Sequence, residues 1–491
     1  MNLTEEEYPL ASLMFECDDK GKLKPNLNNF AVTIATKFSP ITYNNTLYVC
    51  DENYLYHENK GDVQSFIQAL CEAAGYNQPL ESLKRELVGR TRDSNVVQDY
   101  PFNKFNGFPA NNGVVVFGET IELVPYSADM RFTRRIPVDY NPDADVSLAD
   151  EILSQWIDMD NKVKVKMFGA EVEVARDKVL LYQIPAQAIL QSLPNRDPSK
   201  KAYLIMGESN GGKSTYIVLL SKLFNGHKNF SGVSLQTMGG RDAFWKQSIV
   251  GKLMNICDDL QAVPLDSTEC LKQVTGLREH EVNPKGKDRH MADLTAVHVF
   301  TCNRPPEIRG IADTDDAFWG RWEYILFPSV FEKVDGWVEK NLTPELLEGF
   351  FLSVCRYAHY MAQNNCLIIR SEGADVKELW RTDSTPLKQF LDENTTPATA
   401  NDYCFTEDVF NQLEKWKNDD DITESERLHR QKRSPLTITA LTQAMLRYGY
   451  DTRVVQKAGK RRKAYVGITW TPGAKYSVSE SKNSSIFGGK K

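Results

Sequence analysis

The sequence predicts an α/β fold: a P-loop NTPase core with a mixed α+β domain before it and a winged-helix domain after it. Three observations lead to this prediction. A glycine-rich loop of the pattern GxxxxGK[ST] lies between an apolar strand and a helical run. Between residues 195 and 330, apolar strands alternate with helical stretches, as in a largely parallel sheet. Near the C-terminus, a helix is followed by a basic hairpin, which is winged-helix patterning.

Length and composition limit the class of protein. The chain has 491 residues, enough for about two to four domains, and its 41% hydrophobic and 25% charged residues are typical of globular proteins. The net charge of −7 gives no overall basic field, so any contact with nucleic acid must be local. Nine dispersed cysteines without a CxxC pair, an acidic beginning and no long apolar run favour a reduced, cytoplasmic protein without zinc, signal peptide or membrane span.

Changes in composition divide the chain into five predicted units. The first contains short apolar runs broken by Asn-Gly and Pro, and the last is rich in Ser, Gly and Lys. The units are an N-terminal α+β domain at 1–145, the P-loop core with its preceding helices at 146–335, a helical linker or lid at 336–380, a winged-helix domain at 381–475 and a flexible tail at 476–491.

The glycine-rich loop predicts a site for ATP and Mg²⁺. It follows the predicted strand Ala202–Met206 and precedes the helical run Thr215–Phe224. Glycines let backbone N–H groups surround phosphates at a helix N-terminus, Lys213 neutralises the β and γ charges, and Ser214 can ligate Mg²⁺. The predicted ATP-binding residues are Gly207, Glu208, Ser209, Asn210, Gly211, Gly212, Lys213, Ser214 and Thr215.

Two further apolar strands end in polar side chains. Asp258 and Asp259 end the strand that begins at Leu253, a Walker B pattern, with Asp258 expected to hold Mg²⁺ and Asp259 to orient the attacking water. The division of roles between them stays open, and an Asp pair at a strand end is also a common helix cap. Asn303 follows the strand Ala296–Thr301, where an amide can sense a γ-phosphate, although Asn before prolines commonly marks a turn.

An arginine between aromatic residues is the last candidate catalytic group. Arg321 lies between Trp319 and Trp322, and it could reach the ATP of a neighbouring subunit as an arginine finger. The alternative is cation–π packing on one of the two tryptophans.

In this order, the motifs resemble superfamily 3 helicases, in particular the helicase-primase group of phages, plasmids and poxviruses. The resemblance extends to Leu271–Gly276, the basic segment Lys285–Asp288, and segments of the N-terminal and C-terminal domains. It implies an AAA+ core that forms a ring, a hexamer, moving 3′→5′ on single-stranded DNA. ATP would then lie between subunits, with Lys213, Ser214, Asp258, Asp259 and Asn303 from one copy and Arg321 from the next.

The sequence departs from that family in three places. Gly276-Leu277-Arg278 stands where the family usually has Gly-Gly-Asp, which leaves the local hydrogen bonding open. Gly320-Arg321 stands where an Arg-Arg pair is frequent, which leaves one candidate arginine. No upstream carboxylate set suggests a primase or polymerase centre and no zinc motif occurs, so we expect priming to come from another protein or from a region outside this sequence.

Two basic segments are candidates for DNA contacts. By resemblance, Lys285 and Lys287 lie on a hairpin that grips single-stranded DNA in the pore, although a solvated loop would look similar. Residues 427–475 contain twelve Lys and Arg against one acid, so helix Thr437–Tyr448 could enter a major groove while a basic wing contacts phosphates; a surface for proteins is the alternative. We expect the run Lys457–Lys463 to form the turn of the wing hairpin, and the wing residues are Lys457, Lys460, Arg461, Arg462 and Lys463.

These observations predict an ATP-dependent replicative DNA helicase of a mobile genetic element or virus, acting in the interior of the host cell. Its expected partners are single-stranded and duplex DNA, further copies of itself and a separate primase. A metabolite kinase with the same loop is disfavoured, because no small-substrate domain is evident. An origin-binding initiator or helicase loader that uses ATP as an assembly switch shares every motif and stays open.

Overall fold

The fold is a mixed α/β architecture built on one parallel sheet. The computed structural model describes residues 3–478, except 20, 168, 208, 241–243, 262–264, 266, 287, 307, 309–313, 384–385, 423–426, 428–429, 432–433 and 458. Glu208, Lys287 and most of the predicted tail, residues 479–491, therefore lie outside the described residues.

The N-terminal region packs helices and short antiparallel strands around its own core. Its elements are α1 Leu10–Leu13, β1 Phe15–Cys17, β2 Leu23–Pro25, α2 Leu27–Phe38, β3 Ile41–Tyr43, β4 Thr46–Cys50, β5 Tyr56–Glu58, α3 Asp62–Ala73 and α4 Glu81–Ser94. The Asn26 side chain accepts from two backbone N–H groups and so caps α2. Phe30, Phe66 and Leu87, one from each of the three long helices, are buried together.

The next stretch joins the core of the central sheet. It contains β6 Phe108–Pro109, β7 Val114–Phe117, β8 Ile121–Val124, a 3-10 turn at Ala128–Met130, α5 Ser147–Trp156, β9 Lys162–Met167, β10 Ala170–Ala175 and α6 Arg176–Ser192. Phe108, Val115 and Tyr140 belong to the same buried cluster as α6 and one face of the sheet. The predicted boundary at residue 145 thus separates residues that share a core, and the five units stay a prediction.

The central sheet has five strands, all parallel, in the order β12-β13-β16-β11-β17. Its strands and connections are β11 Ala202–Gly207, α7 Lys213–Phe224, α8 Gly226–Asn229, β12 Phe230–Ser231, α9 Leu235–Gly239, a 3-10 turn at Trp245–Ser248, β13 Met254–Cys257, α10 Glu269–Gly276, β14 Glu279–Val282, β15 His290–Asp293, β16 Val297–Cys302, α11 Asp316–Trp319 and β17 Trp322–Phe327. Because β16 lies between β11 and β13, the carboxyl ends of these three strands meet at one edge.

Apolar layers cover the sheet on both faces, as parallel sheets require. One layer contains α6 and the long helix α13, Pro344–Asn364, which begins after α12, Trp337–Asn341. The other contains Trp319, Trp322 and Trp380. The ring centroid of Trp380 lies 5.7 Å from that of Trp319 and 5.0 Å from that of Trp322. None of the described helices is long and apolar enough to cross a membrane.

A separate C-terminal core combines three helices with antiparallel strands. After α14 Gly373–Asp383, its elements are α15 Pro386–Asn394, β18 Thr395–Pro397, β19 Tyr403–Phe405, α16 Thr406–Lys417, α17 Ile438–Arg447, β20 Thr452–Lys457, β21 Lys460–Val466 and β22 Ile468–Trp470. The strands form the order β19-β21-β20, with β18 paired to β22. Phe390, Trp416 and Tyr465 are buried at its centre.

The C-terminal hairpin differs from the sequence prediction in one respect. The prediction placed the basic run Lys457–Lys463 in the turn, but Lys457 pairs directly with Lys460 and the next residues continue β21. A tight turn at Gly459, where φ is +78°, lets the strands extend almost to the tip. Most basic side chains therefore lie on strands, where neighbours alternate between two faces.

Candidate nucleotide site and nucleic-acid surfaces

The glycine-rich loop leads from the carboxyl end of β11 to the N-terminus of α7. Gly212 precedes the helix with φ of +94°, and a Cβ at this position would lie 2.7 Å from the ring of Trp156. Only glycine fits both the backbone conformation and the contact. Since α7 has 12 residues and its first backbone N–H groups have no partner within the helix, its N-terminus favours an anion.

Lys213 and Asn303 come together although ninety residues separate them. The Lys213 ammonium, 8% exposed, donates to the Gly207 carbonyl at 2.6 Å and to Asn303 Oδ1 at 2.9 Å. Met206 pairs with Cys302 at the ends of neighbouring strands, and this register places Asn303 beside the loop. The structure therefore brings the predicted sensor amide next to the predicted phosphate-binding lysine.

Asp258 lies at the same edge of the sheet, and its two carboxylate oxygens accept hydrogen bonds from two different hydroxyl groups. Ser214 Oγ donates to Asp258 Oδ2 at 3.0 Å, and Thr301 Oγ1 donates to Asp258 Oδ1. Ser214 and Asp258 thus form a close pair of oxygen atoms at the start of α7. Oxygen ligands from one or two side chains are the set that Mg²⁺ ordinarily takes from a protein.

Asp259 has an unusual backbone conformation. Its φ is +56°, in the left-handed region that a non-glycine residue adopts at a cost of about 1–3 kcal/mol. Its N–H donates to Thr301 Oγ1 at 2.9 Å, which holds this conformation, and its side chain is exposed. No hydrogen bond to the Asp259 carboxylate occurs among the described residues, so its oxygens are available to a water molecule.

Thr301 is a site residue that the sequence analysis missed. It is fully buried at the end of β16, and its one hydroxyl serves both aspartates, since it donates to Asp258 and accepts from Asp259. A hydroxyl has one proton to donate and lone pairs to accept with, so both bonds are satisfied at once. The available signal was a polar residue inside a buried strand, two positions before Asn303.

These residues border a cavity of about 710 Å³. Ser209, Asn210, Gly211 and Thr215 line it together with Lys213, Ser214, Asp258, Asp259 and Asn303. The sequence analysis missed the other wall, which consists of Gln155, Trp156 and the segment Phe331–Glu339. The Phe331 N–H donates to the Asn210 carbonyl at 3.0 Å, which fixes that segment to the loop. The volume is in the range of pockets that enclose a small organic ligand.

Arg321 lies at the opposite edge of the sheet from this cavity. It directly precedes β17, whose first residue Trp322 pairs with Ala202, whereas the last residue of β17 pairs with Gly207 of the loop. Burial lowers the pKa of the Arg321 guanidinium, the positive charge of Arg370 lowers it further, and Asp315 acts in the opposite direction. The structure therefore does not bring Arg321 to the cavity of its own chain.

The segment predicted to grip DNA is a hairpin, formed by β14 and β15. Lys285 is exposed at its tip beside Gly286, while Lys287 lies outside the described residues. Arg278 fixes the base of the hairpin: it donates to Asp293 at 2.8 Å and to the carbonyls of Leu193 and Arg196, just after α6, at 3.0 and 2.6 Å. The sequence analysis left open the hydrogen bonding of the segment Gly276-Leu277-Arg278. In the structure, Arg278 of this segment attaches the hairpin to the end of α6.

The basic wing residues divide between the two faces of β20 and β21. Arg461 and Lys463 are exposed on the face that also carries Tyr465, which shares a hydrogen bond of 3.1 Å with Thr442 of α17. Lys457, Lys460 and Arg462 lie on the other face.

Arg462 is engaged within the protein. It pairs with Asp408 at 2.6 Å and Glu407 at 3.2 Å and lies 4.1 Å above the Phe405 ring. The hydrogen bond to Asp408 raises the pKa of Arg462. Of the predicted phosphate contacts, Arg461 and Lys463 are therefore presented beside α17, and Arg462 is tied to α16.

Comparison with known proteins adds one family match and a distant structural likeness. Residues 205–321 match the model of a family described as a family of unknown function, DUF5906. No curated protein matches the chain. Three solved structures of the NrS-1 C-terminal region, all apo forms, align over 89% of this chain and 98% of theirs, with TM-scores of 0.43, 0.41 and 0.40 and identities of 14%, 15% and 16%. The interpretation of the site therefore rests on its own geometry.

Proposed function

We propose that the protein is an ATP-dependent DNA helicase with an AAA+ core. The observation that carries this proposal is the meeting of Lys213, Ser214, Asp258, Asp259 and Asn303 at one edge of the parallel sheet, around a cavity of about 710 Å³. A triphosphate in that cavity would replace the Gly207 carbonyl and Asn303 amide as the partner of the Lys213 ammonium. The lysine and the N-terminus of α7 would then neutralise the β- and γ-phosphates.

The geometry favours one of the two possible roles for each aspartate. Ser214 Oγ and Asp258 Oδ2 would hold Mg²⁺, directly or through water, because they form the close oxygen pair next to Lys213. When bound there, Mg²⁺ supplies charge neutralisation to the phosphates. Asp259, whose carboxylate is exposed to the cavity, would orient the water that attacks the γ-phosphorus. The bond to the bridging oxygen then breaks, and ADP leaves with its electron pair.

We propose that several copies assemble as a hexameric ring, and the position of Arg321 supports action between copies. Arg321 lies six residue steps from Phe327 at the loop edge, roughly 20 Å along the strand, which is farther than an arginine side chain extends. If Arg321 acts on ATP, it acts on the ATP of a second copy. Asn303 would report the state of the γ-phosphate to β16, which continues from the β14–β15 hairpin.

Contact with DNA is assigned to two surfaces. Lys285, on the hairpin tip, would hold single-stranded DNA, and the C-terminal domain would act as a winged helix on duplex DNA. The support for the latter is the arrangement of α15, α16 and α17 with the β20–β21 hairpin, and the exposure of Arg461 and Lys463 beside α17. Thr439 and Gln443 are exposed on α17 and could contact base edges.

ATP hydrolysis and strand displacement by purified protein test this proposal. Lys213→Ala should abolish both activities, because the phosphates lose their main side-chain counter-ion. Lys222→Ala is the matched control, since Lys222 is exposed on the same helix and does not line the cavity. Hydrolysis without strand displacement by the unmodified protein would favour an ATP-switched initiator or loader. Wild-type turnover by Lys213→Ala would overturn the ATPase assignment.

A further inference from the structure

Arg370 lies next to Arg321, although forty-nine residues separate them in the chain. The Lys201 ammonium donates to the carbonyls of Trp322 and Ser371, each at 3.0 Å, so the backbones that directly follow the two arginines are close together. A Cβ at Gly373 would lie 2.8 Å from the backbone nitrogen of Gly320, which shows that the two segments pack directly. Both arginines therefore lie at the amino-terminal edge of the sheet.

The charge of Asp315 acts on Arg321, but no described carboxylate forms an ion pair with either arginine. Asp315 is engaged by Lys272 at 2.5 Å, and Glu323 is engaged by Lys201 at 2.8 Å and by Arg176. Within the described residues, neither Arg321 nor Arg370 forms an ion pair. Two neighbouring arginines, close enough for the charge of one to lower the pKa of the other and without an ion-pair partner, favour a bound anion.

The donors of the pair remain largely unused. Arg321 Nε is buried without a hydrogen-bond partner, and the absence of a side chain at Gly276 leaves room for its guanidinium, because a Cβ there would lie 3.3 Å from Nη2. Arg370 is exposed and donates only one described hydrogen bond, to the Ser199 carbonyl at 2.8 Å. A planar fork of N–H donors on each residue suits the oxygens of a phosphate group.

We infer that Arg321 and Arg370 form one phosphate-binding site, which takes the γ-phosphate of ATP bound to a second copy of this chain. Arg370 is then a second catalytic residue. It adds a positive charge, from a separate segment of the chain, to the charge of Arg321. This inference rests on the proposed ATPase function. The site cannot take the nucleotide of its own chain, since the length of β17 lies between them.

The two arginines would act on the charge that develops during hydrolysis. As water bonds to the γ-phosphorus and its proton passes to the released phosphate or to solvent, the bond to the bridging oxygen breaks with its electron pair going to ADP, and negative charge develops on the oxygens of the transferred group and of ADP. Cationic donors aimed at those oxygens stabilise the transition state more than the bound ATP. Loss of Arg370 should therefore lower the turnover rate and leave ATP affinity nearly unchanged.

Arg370→Gln is the main test, because it removes the charge and keeps an amide that can donate to the Ser199 carbonyl. We expect ATP hydrolysis without DNA to fall at least about tenfold, with ATP affinity and melting temperature unchanged. Arg370→Met, which keeps the length of the side chain, is the second variant if the first one folds poorly. Arg85→Gln, at an exposed arginine of α4, is the control and should hydrolyse ATP at the wild-type rate.

Mixing experiments separate this inference from the proposed function. Arg370→Gln protein mixed with Lys213→Ala protein should regain hydrolysis, because an intact loop then faces an intact arginine pair. If Lys213→Ala is inactive and Arg370→Gln hydrolyses at the wild-type rate, the inference fails while the ATPase assignment stands. A lower DNA affinity with unchanged DNA-free hydrolysis would also overturn it, and would assign the pair to DNA phosphates.

Discussion

Thr301 and Asp258 are joined side chain to side chain across neighbouring strands, and the same threonine hydroxyl also accepts the N–H of Asp259. One buried hydroxyl therefore fixes the direction of the first carboxylate and the left-handed backbone of the second. Since Asp258 is proposed for Mg²⁺ and Asp259 for the attacking water, Thr301, which also lines the cavity, is expected to position both.

Replacing Thr301 tests this positioning role. Thr301→Val keeps the shape and removes both hydrogen bonds, so we expect turnover to fall about ten- to a hundredfold while ATP affinity stays within a few-fold of the wild type. The N–H of Asp259, whose hydrogen bond to Thr301 is partly buried, loses its partner, which should also cost about 1 kcal/mol of unfolding free energy. Thr301→Ser, which keeps the hydroxyl, should restore turnover. Equal activity of the Val and Ser variants would contradict the role.

Arg321→Ala should leave ATP binding intact and stop hydrolysis, because Arg321 lies far from the loop of its own chain and close to the proposed interface. Mixing it with Lys213→Ala protein should restore part of the activity, measured as phosphate release over a range of ratios. Activity that stays absent at every ratio would argue against action across subunits, and would leave the role of Lys213 untouched.

Lys285→Ala combined with Lys287→Ala should uncouple hydrolysis from movement along DNA. None of the described hairpin residues lines the cavity, so basal hydrolysis should persist while stimulation by single-stranded DNA and strand displacement are lost. Lys164→Ala, at an exposed lysine of the β9–β10 hairpin, is the matched control. Normal unwinding by the double variant would reject the grip on DNA.

The two faces of the wing should differ in their effect on duplex binding. Each phosphate contact contributes about −0.9 to the slope of the logarithm of the binding constant against the logarithm of the salt concentration. Arg461→Ala with Lys463→Ala should therefore flatten this slope by roughly two units. Lys457→Ala with Lys460→Ala, on the opposite face, should change it less. DNA-stimulated hydrolysis should be spared in both. Unchanged affinity and slope for the Arg461 and Lys463 pair would favour an acidic protein partner for this domain.

The sequence was informative where polar side chains directly follow apolar strands. Polar residues directly after buried apolar strands predicted that Asp258, Asp259 and Asn303 would meet near Lys213, and the parallel register brings them there. The parallel α/β core was predictable for the same reason. The alternation of apolar strands and helices is a local pattern that the chain itself displays.

Other parts of the site depend on contacts between distant segments. Nothing near Arg370 indicated a partner, because its proximity to Arg321 arises from Lys201 holding two carbonyls that lie far apart in the chain. Arg462 was predicted as a free phosphate contact, and only the fold shows its ion pair with Asp408. Trp156 and the segment Phe331–Glu339 carry no motif at all, and they reach the cavity through packing.

The contact between Trp156 and Gly212 gives the protein an internal optical reporter. The indole is 3% exposed, lies against the last residue of the glycine-rich loop and stacks on Phe327 with ring centroids 6.0 Å apart. Any rearrangement of the loop around a triphosphate changes the surroundings of this ring. Its fluorescence, one part of the emission from eight tryptophans, is therefore expected to change when the proposed nucleotide loads and leaves, without an attached dye.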